Sequence, residues 1–112
     1  MKRVVVLGGA GLIGSHLCMR LADAGDEVVC IDTADISTSP LLAPYLRRRA
    51  IRYICHDIEK SFVISGEQIY NLASPTFITR IGTHPLKILR TNIMGSINAI
   101  ETARRNGATV LF

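Results

Sequence analysis

Hydrophobic positions along the chain fall into short continuous runs and longer periodic segments. The continuous runs, within residues 2–7 and 27–31, have the length and apolar character of strands that are buried on both faces. Three further strands, which also contain polar residues, are predicted at residues 51–55, 67–72 and 108–112. The periodic segments repeat large aliphatic residues every three or four positions, as amphipathic helices do, and they are residues 12–24 and 85–106. A short helix is also predicted within residues 44–49. Strands and helices that alternate in this way predict an α/β fold with a doubly wound parallel sheet.

Each long helix carries a recognisable apolar pattern. In the first helix, a broad apolar face is formed by Leu12, Ile13, His16, Leu17, Met19 and Leu21. In the second, one face is formed by Leu86, Leu89, Ile93, Ile97 and Ile100, and it is widened toward a second face by Ile88, Ala99 and Ala103. Gly25 and Gly107 are predicted to end the two helices, because glycine readily adopts the left-handed conformation of a helix C-terminus.

A glycine-rich turn joins the first strand to the first helix. Gly8, Gly11 and Gly14 fall at intervals of three. Glycines at such a turn allow positive φ and remove the Cβ atoms that would hold a phosphate away. The following helix N-terminus offers unpaired N–H groups to an anion. This pattern indicates a pyrophosphate site, and the alternative is a tight turn that only packs the helix on the strand.

Asp32 ends the second strand, eighteen positions after Gly14. A carboxylate at this point of a Rossmann-like sheet accepts hydrogen bonds from ribose hydroxyls. No Arg or Lys lies between Asp32 and Tyr45 to neutralise a ribose 2′-phosphate, and Asp32 would repel that phosphate. NAD is therefore favoured over NADP. Residues 35–39 could line the adenosine ribose. The expected strand order is 3-2-1-4-5, in a sheet truncated at five strands.

The composition suits one small domain or part of a larger one, since the 112 residues are 48% hydrophobic. No apolar run reaches the length of a membrane span, and the glycine turn interrupts the N-terminal apolar run before it can form a signal peptide. The cysteines are Cys18, Cys30 and Cys55; they have no metal-ligand or redox spacing and are expected to be small hydrophobic side chains. These features predict a cytoplasmic protein.

The net charge of +4 comes partly from two arginine clusters, at residues 47–52 and 104–105. A nucleic-acid patch and a solvated helix end both explain such clusters. We favour the solvated helix end, because aromatic residues make up only 5% of the chain and none is interleaved for base stacking.

The glycine spacing resembles that of the extended short-chain dehydrogenase/reductase family, whose fingerprint is Thr-Gly-x-x-Gly-x-x-Gly. Leu7 stands at the Thr position. Further stretches resemble the N-terminal portion of UDP-glucuronate decarboxylases and, more loosely, nucleotide-sugar epimerases and dehydratases: residues 57–58, 68–75, 85–87 and 91–98. Residues 76–84 depart from the Pro- and Tyr-rich substrate loop of that group.

The resemblance implies that Asp57 and Ile58 contact adenine, although Asp57 could instead cap a turn. It also implies that the small residues after the fourth strand pass beside the nicotinamide half. The predicted NAD-binding residues are Gly8, Gly11, Leu12, Ile13, Gly14, Asp32, Thr33, Asp57, Ile58, Leu72, Ala73, Ser74 and Asn92.

No catalytic residue is predicted in the chain. The family's catalytic pair is Tyr-x-x-x-Lys, but the residues four positions after the three tyrosines are Arg49, Asp57 and Ser74. The three histidines have neither metal-ligand spacing nor the spacing of a catalytic triad, and no metal site is expected.

These observations predict that residues 1–112 form the NAD-binding domain of a nucleotide-sugar-modifying enzyme, as a natural truncation or a fragment. The catalytic Tyr-x-x-x-Lys helix and the substrate domain would be absent, so the chain is not expected to catalyse alone. A nucleotide-sugar would bind only in a full-length enzyme. The alternative is a non-catalytic nucleotide-binding or interaction module. We expect a homo-oligomer formed through the 85–105 helix or the 108–112 edge strand. A third class is a nucleic-acid binder that would use the two arginine clusters.

Overall fold

A computed structural model describes residues 1–35, 39–75 and 82–112. Within them the strands are β1 (Arg3–Leu7), β2 (Glu27–Asp32), β3 (Ile51–Cys55), β4 (Gln68–Asn71) and β5 (Thr109–Leu111). The helices are α1 (Leu12–Asp23), α2 (Ala43–Arg47) and α3 (Pro85–Asn106). Every predicted strand and helix is present, with bounds that differ by at most a few residues.

All strand pairs are parallel, and the order β3-β2-β1-β4-β5 confirms the predicted sheet. The central strand is β1, whose Val5 lies between Val29 of β2 and Ile69 of β4. All three side chains are buried. Because parallel sheets are covered on both faces, their strands are continuous apolar runs rather than alternating ones.

The core has two layers, one on each face of the sheet. On one face, Val4 and Val6 pack with Cys18 of α1 and with Leu42, which precedes α2. On the other face, a second cluster joins β1 and β4 to α3 through Val5, Leu7, Ile69, Ala99 and Ala103. Successive strand residues point to opposite faces, so β1 contributes to both layers.

Left-handed backbone ends each of the three helices. Gly25 (φ 90°) and Gly107 (φ 61°) follow α1 and α3, as the sequence predicts. Arg49 takes the same conformation after α2, with φ 58°, and is the one non-glycine residue with positive φ among those described. A side chain in this region is strained relative to glycine.

The fully buried residues of α1 and α3 are small, and several of the large aliphatic side chains of these helices face outward, although Leu17 and Leu21 of α1 are partly buried against the core. In α1 the buried residues are Gly14, Ser15 and Cys18, whereas Leu12 and Ile13 are 79% and 72% exposed. In α3 the buried residues are Thr91, Gly95, Ala99, Thr102 and Ala103. The face of α3 formed by Leu86, Leu89, Ile93, Ile97 and Ile100 is at least half exposed at every position. We call it the outer stripe.

The close approach of the α3 backbone to the Ile58 side chain explains why the small residues of α3 face the core. A Cβ on Gly95 would overlap the end of the Ile58 side chain, so any larger residue there would require that buried side chain to move. The Asn98 amide donates a hydrogen bond of 2.8 Å to the Ile58 carbonyl, which further stabilises the packing of α3 on the segment after β3.

Two sequence expectations fall on residues outside those described. The stretch 35–39, expected to line the ribose, is described only at Asp35 and Ser39. The stretch 76–84 is described only from Gly82 onward. None of the described helices has the length and hydropathy that crossing a membrane requires.

Candidate dinucleotide-binding site

A cavity of about 720 Å³ opens at the carboxyl ends of the strands, between the start of α1 and the first turns of α3. Parallel open sheets bind ligands at this edge. Ten of the thirteen predicted cofactor residues line it: Gly8, Gly11, Leu12, Asp32, Thr33, Asp57, Ile58, Leu72, Ala73 and Ser74. Ile13, Gly14 and Asn92 do not line it.

The three glycines of the turn have different jobs. Gly8 has φ 78°, and a Cβ there would lie 2.7 Å from the Ala73 nitrogen. A Cβ on Gly14 would overlap the Gly8 carbonyl oxygen. Gly11 lines the cavity, and a Cβ there would meet no described atom nearer than the Gly8 oxygen at 3.4 Å. The fold itself therefore requires Gly8 and Gly14, while the bare backbone at Gly11 faces open space.

The N-terminus of α1 is suited to an anion. Gly11 is its N-cap residue, no hydrogen bond from a side chain caps it among the described residues, and its first turn contains no acidic residue. The first N–H groups of a helix have no intrahelical partner and carry a partial positive charge. This partly positive helix N-terminus, which has no acidic side chain in its first turn, therefore suits the negatively charged pyrophosphate of a dinucleotide.

Asp32 ties the glycine turn to the end of β2. Its Oδ2 accepts a hydrogen bond of 3.0 Å from the Ala10 N–H. Its Oδ1 accepts from the N–H groups of Thr33 at 2.7 Å and Ala34 at 3.2 Å. A carboxylate has about four acceptor positions, so these bonds leave room for a ribose hydroxyl on the cavity side.

Tyr53 supports the same corner from β3. Its hydroxyl donates to the Asp32 carbonyl oxygen at 3.1 Å, and it also contacts the Ala34 carbonyl oxygen. Burial and the nearby Asp32 carboxylate raise the pKa of Tyr53 above its ordinary value, so this hydroxyl stays protonated as a donor.

Asp57 both lines the cavity and caps a turn, so the two interpretations of this residue are compatible. Its Oδ1 accepts a hydrogen bond of 3.0 Å from the Glu59 N–H. Its Oδ2 lies 2.6 Å from the Lys87 ammonium nitrogen, which lies 2.5 Å from Glu59 Oε2 as well. The hydrogen bond from Lys87 holds the pKa of Asp57 below its ordinary value. Ile58 lies beneath, 4% exposed, against α3.

Sequence reasoning missed the face that α3 turns toward the cavity. Lys87, Ile88 and Thr91 line it, whereas Asn92 is exposed elsewhere on the helix. Thr91 is only 8% exposed, and no hydrogen bond joins its hydroxyl to any residue that the structure describes. Residues four positions apart lie on one face of a helix, so the spacing of Lys87 and Thr91 was a signal that could have identified them.

Among the described residues that line the cavity there is no tyrosine, and therefore no Tyr-x-x-x-Lys pair. The hydroxyls of Tyr45 and Tyr53 are bonded elsewhere. His56 and His84 do line the cavity, and His56 Nε2 lies 3.1 Å from the Lys60 carbonyl oxygen. The described parts of the chain contain no group of three metal-ligating side chains.

The parallel sheet, the glycine turn at the N-terminus of α1 and the carboxylate that ends β2 define a dinucleotide-binding α/β domain. The chain belongs to the NAD-dependent epimerase/dehydratase family, whose model matches residues 4–112. This confirms the resemblance noted from the glycine spacing.

Among the curated relatives, UDP-glucuronic acid decarboxylase 1 of Arabidopsis thaliana is 37% identical over 109 residues, which are 97% of this chain and 25% of that protein. UDP-glucuronic acid decarboxylase 1 of Danio rerio is 34% identical over 110 residues, 98% of this chain and 26% of the relative. A crystal structure of UDP-galactose 4-epimerase superposes with a TM-score of 0.79 at 29% identity, covering 96% of this chain and 36% of that one. The chain thus spans about a quarter of the length of these curated relatives.

Proposed function

We propose that this chain is the NAD-binding part of a nucleotide-sugar-modifying enzyme of the UDP-glucuronate decarboxylase, epimerase or dehydratase type. The observation that carries the proposal is one cavity bordered by the bare backbone of Gly11, the N-terminus of α1 and the Asp32 carboxylate. In a decarboxylase the whole enzyme would be a lyase. NAD, when bound, would supply reversible hydride acceptance from a sugar carbon.

Each part of the cavity suits one part of the cofactor. The pyrophosphate would lie at Gly11 and the start of α1, and the adenosine ribose at Asp32 and Thr33. The base would lie beyond Asp32 toward β3, at Asp57 and Ile58. The nicotinamide half would extend toward Leu72, Ala73 and Ser74, where small side chains let a ligand come close to the end of β4.

NAD rather than NADP is proposed because of charge. The Asp32 carboxylate lines the cavity, and the only Arg or Lys among the described lining residues is Lys87, whose ammonium group is already paired with Asp57 and Glu59. A 2′-phosphate would bring further negative charge against Asp32.

Catalysis is proposed to require residues outside this chain. None of the three tyrosines is followed by a lysine four positions later, and nucleotide-sugar binding would likewise need the rest of an enzyme. Nucleic-acid binding is not proposed, since arginines of both clusters have acidic partners: Arg48 pairs with Asp23, and Arg104 and Arg105 pair with Glu101. A reducing compartment such as the cytoplasm suits three free cysteines.

Calorimetric titration of the chain with NAD, ADP-ribose and NADP tests the proposal. NAD and ADP-ribose should bind, and NADP should bind more weakly. Asp32→Asn removes the charge, so the ratio of the NADP and NAD dissociation constants should fall. Because the amide also replaces one of two oxygens that accept backbone N–H bonds, the melting temperature establishes that this variant is folded. A folded chain that binds none of the three ligands would refute the proposal.

A second candidate function is self-association, which is favoured by the outer stripe of α3 and by the edge strand β5. Leu111 at the end of β5 is 56% exposed, and Phe112 after it is 58% exposed. Large apolar faces and unpaired strand edges promote association. Sedimentation should give a concentration-dependent dimer that Ile97→Lys weakens. Val63→Lys, which places the same charge on an exposed apolar side chain outside the stripe, is the matched control. A monomer at all concentrations would refute this candidate.

A further inference from the structure

Lys87 lies between two carboxylates at the border of the cavity. Its ammonium nitrogen is 2.6 Å from Asp57 Oδ2 and 2.5 Å from Glu59 Oε2. Lys87 belongs to the first turn of α3, while both acids belong to the turn that follows β3. The lysine therefore joins two elements that each border the cavity, across thirty positions of sequence.

The Asp57 carboxylate is held from two sides. The Glu59 N–H fixes Oδ1 at 3.0 Å and Lys87 fixes Oδ2. Each carboxylate oxygen retains a second acceptor position, and Asp57 lines the cavity. It lies after β3, the strand that pairs with β2, which Asp32 ends, and the proposed binding of NAD places the base on this side of the ribose.

A fixed carboxylate at that place distinguishes bases. The exocyclic amino group of adenine can donate to it, whereas the carbonyl oxygen that replaces this group in hypoxanthine would face it with like charge. Without the lysine, the Asp57 and Glu59 carboxylates would repel each other, and Asp57 would lose the bond that orients Oδ2.

We propose that Lys87 is a positioning residue that holds Asp57 as the acceptor for the adenine amino group and so makes the site select adenine over hypoxanthine. This rests on the proposed binding of NAD. The turn carrying Asp57 has independent anchors on α3, since the Asn98 amide bonds the Ile58 carbonyl and Gly95 packs on the Ile58 side chain. Variants of Lys87 are therefore expected to fold.

The test compares NAD with nicotinamide hypoxanthine dinucleotide by calorimetry. Both ligands carry the same phosphates, so the ratio of their dissociation constants isolates the base from the general attraction of a cation for an anion. The wild-type chain should prefer NAD by about tenfold, the value of one hydrogen bond to a charged group. Lys87→Met should bring the ratio close to one.

Two further variants separate positioning from charge. Lys60→Met removes the same charge from the same turn, and Lys60 has no ion pair among the described residues, so the ratio should stay at its wild-type value. Lys87→Arg keeps the cation and should retain most of the preference for NAD over nicotinamide hypoxanthine dinucleotide. Melting temperatures establish that each variant is folded.

The possible outcomes distinguish a failure of the proposed role of Lys87 from a failure of the proposed NAD binding. A wild-type chain that binds both dinucleotides equally, or a Lys87→Met variant with an unchanged ratio, would overturn the role of Lys87 and leave NAD binding intact. An equal loss of preference in Lys60→Met would also overturn it, because charge alone would then be enough. A folded wild-type chain that binds neither dinucleotide would overturn the proposed function together with this inference.

Discussion

Replacing Gly11 by alanine should weaken NAD binding without destabilising the fold. Gly11 has φ −73° and ψ 178°, an extended conformation that any L-residue adopts. The added methyl group would lie 3.4 Å from the Gly8 carbonyl oxygen and, its chain neighbours aside, would meet no other atom of the described residues within 4 Å. The chain therefore tolerates the substitution, and only a ligand resting on this backbone would encounter the methyl group.

The expected effect of Gly11→Ala on stability is smaller than its expected effect on NAD affinity. Gly-to-Ala changes at sites with compatible φ and ψ alter stability by about 1 kcal/mol or less. A phosphate that contacts the helix N-terminus makes charge-assisted hydrogen bonds of about 3 Å. Displacing it from one such bond removes about 1.5 to 3 kcal/mol, which weakens NAD binding by roughly ten- to a hundredfold.

Gly14→Ala is the matched variant with the opposite expectation. Its Cβ would overlap the Gly8 carbonyl oxygen and lie 2.8 Å from the Gly9 Cα, so α1 would have to move off the glycine turn. Overpacking of this kind costs about 1 to 3 kcal/mol, and each kcal/mol lowers the melting temperature of a small domain by about 4 to 8 °C.

Thermal unfolding by circular dichroism and NAD titration by calorimetry, on both variants, check these expectations. The reasoning fails if Gly11→Ala binds NAD as tightly as the wild-type chain, because the cavity-facing backbone would then not carry the phosphate. It also fails if Gly11→Ala melts as low as Gly14→Ala, since the glycine would then serve the fold.

Three further outcomes follow from the structure. Arg49→Gly should raise the free energy of unfolding by about 1 kcal/mol in urea titrations, because glycine takes the left-handed conformation at φ 58° without strain; a decrease would contradict this. Cys55 should react quickly with a thiol reagent in the native chain, because it is exposed and the other two cysteines are fully buried; mass spectrometry after brief labelling distinguishes one adduct from three. The hydrogen bond from Lys87 holds the pKa of the Asp57 carboxyl below its ordinary value of 3.8. The ion pair therefore contributes its full stabilisation above about pH 4, and this contribution is lost as the pH falls through the lowered pKa. Lys87→Met should flatten the loss of stability below about pH 4, measured by urea unfolding across the acid range, and an unchanged acid limb would count against the ion pair.

The sheet and the glycine turn were predictable because local rules decide them. A run such as residues 4–7, apolar at every position, fits only a strand buried on both faces. Gly25 and Gly107 end their helices through an intrinsic backbone preference. Asp32 was identifiable because its role depends on a short distance along the chain from the glycine turn.

The faces of the helices were not predictable from periodicity. In α3, five large aliphatic residues form the outer stripe, and the side that packs on the sheet is made of small residues such as Gly95 and Ala99. Hydrophobicity ranks these two faces in the wrong order, because close packing rewards small volume as well as apolar character. Asn92 stays a prediction: it does not line the cavity, whereas its neighbour Thr91 does.

Asp32 shows why a proposed ligand-binding residue in this site can be hard to test. Its carboxylate accepts hydrogen bonds from the N–H groups of Ala10, Thr33 and Ala34, so it organises the glycine turn before any ligand arrives. Truncating it to alanine would leave those donors without their acceptor, and a loss of NAD binding could come from a displaced turn as easily as from a lost ribose contact. Gly11 serves the fold only through backbone hydrogen bonds with Gly8 and Ser15 among the described residues, and Gly11→Ala retains these. Loss of binding in Gly11→Ala with an unchanged melting temperature therefore assigns the phosphate site more directly than any substitution of Asp32.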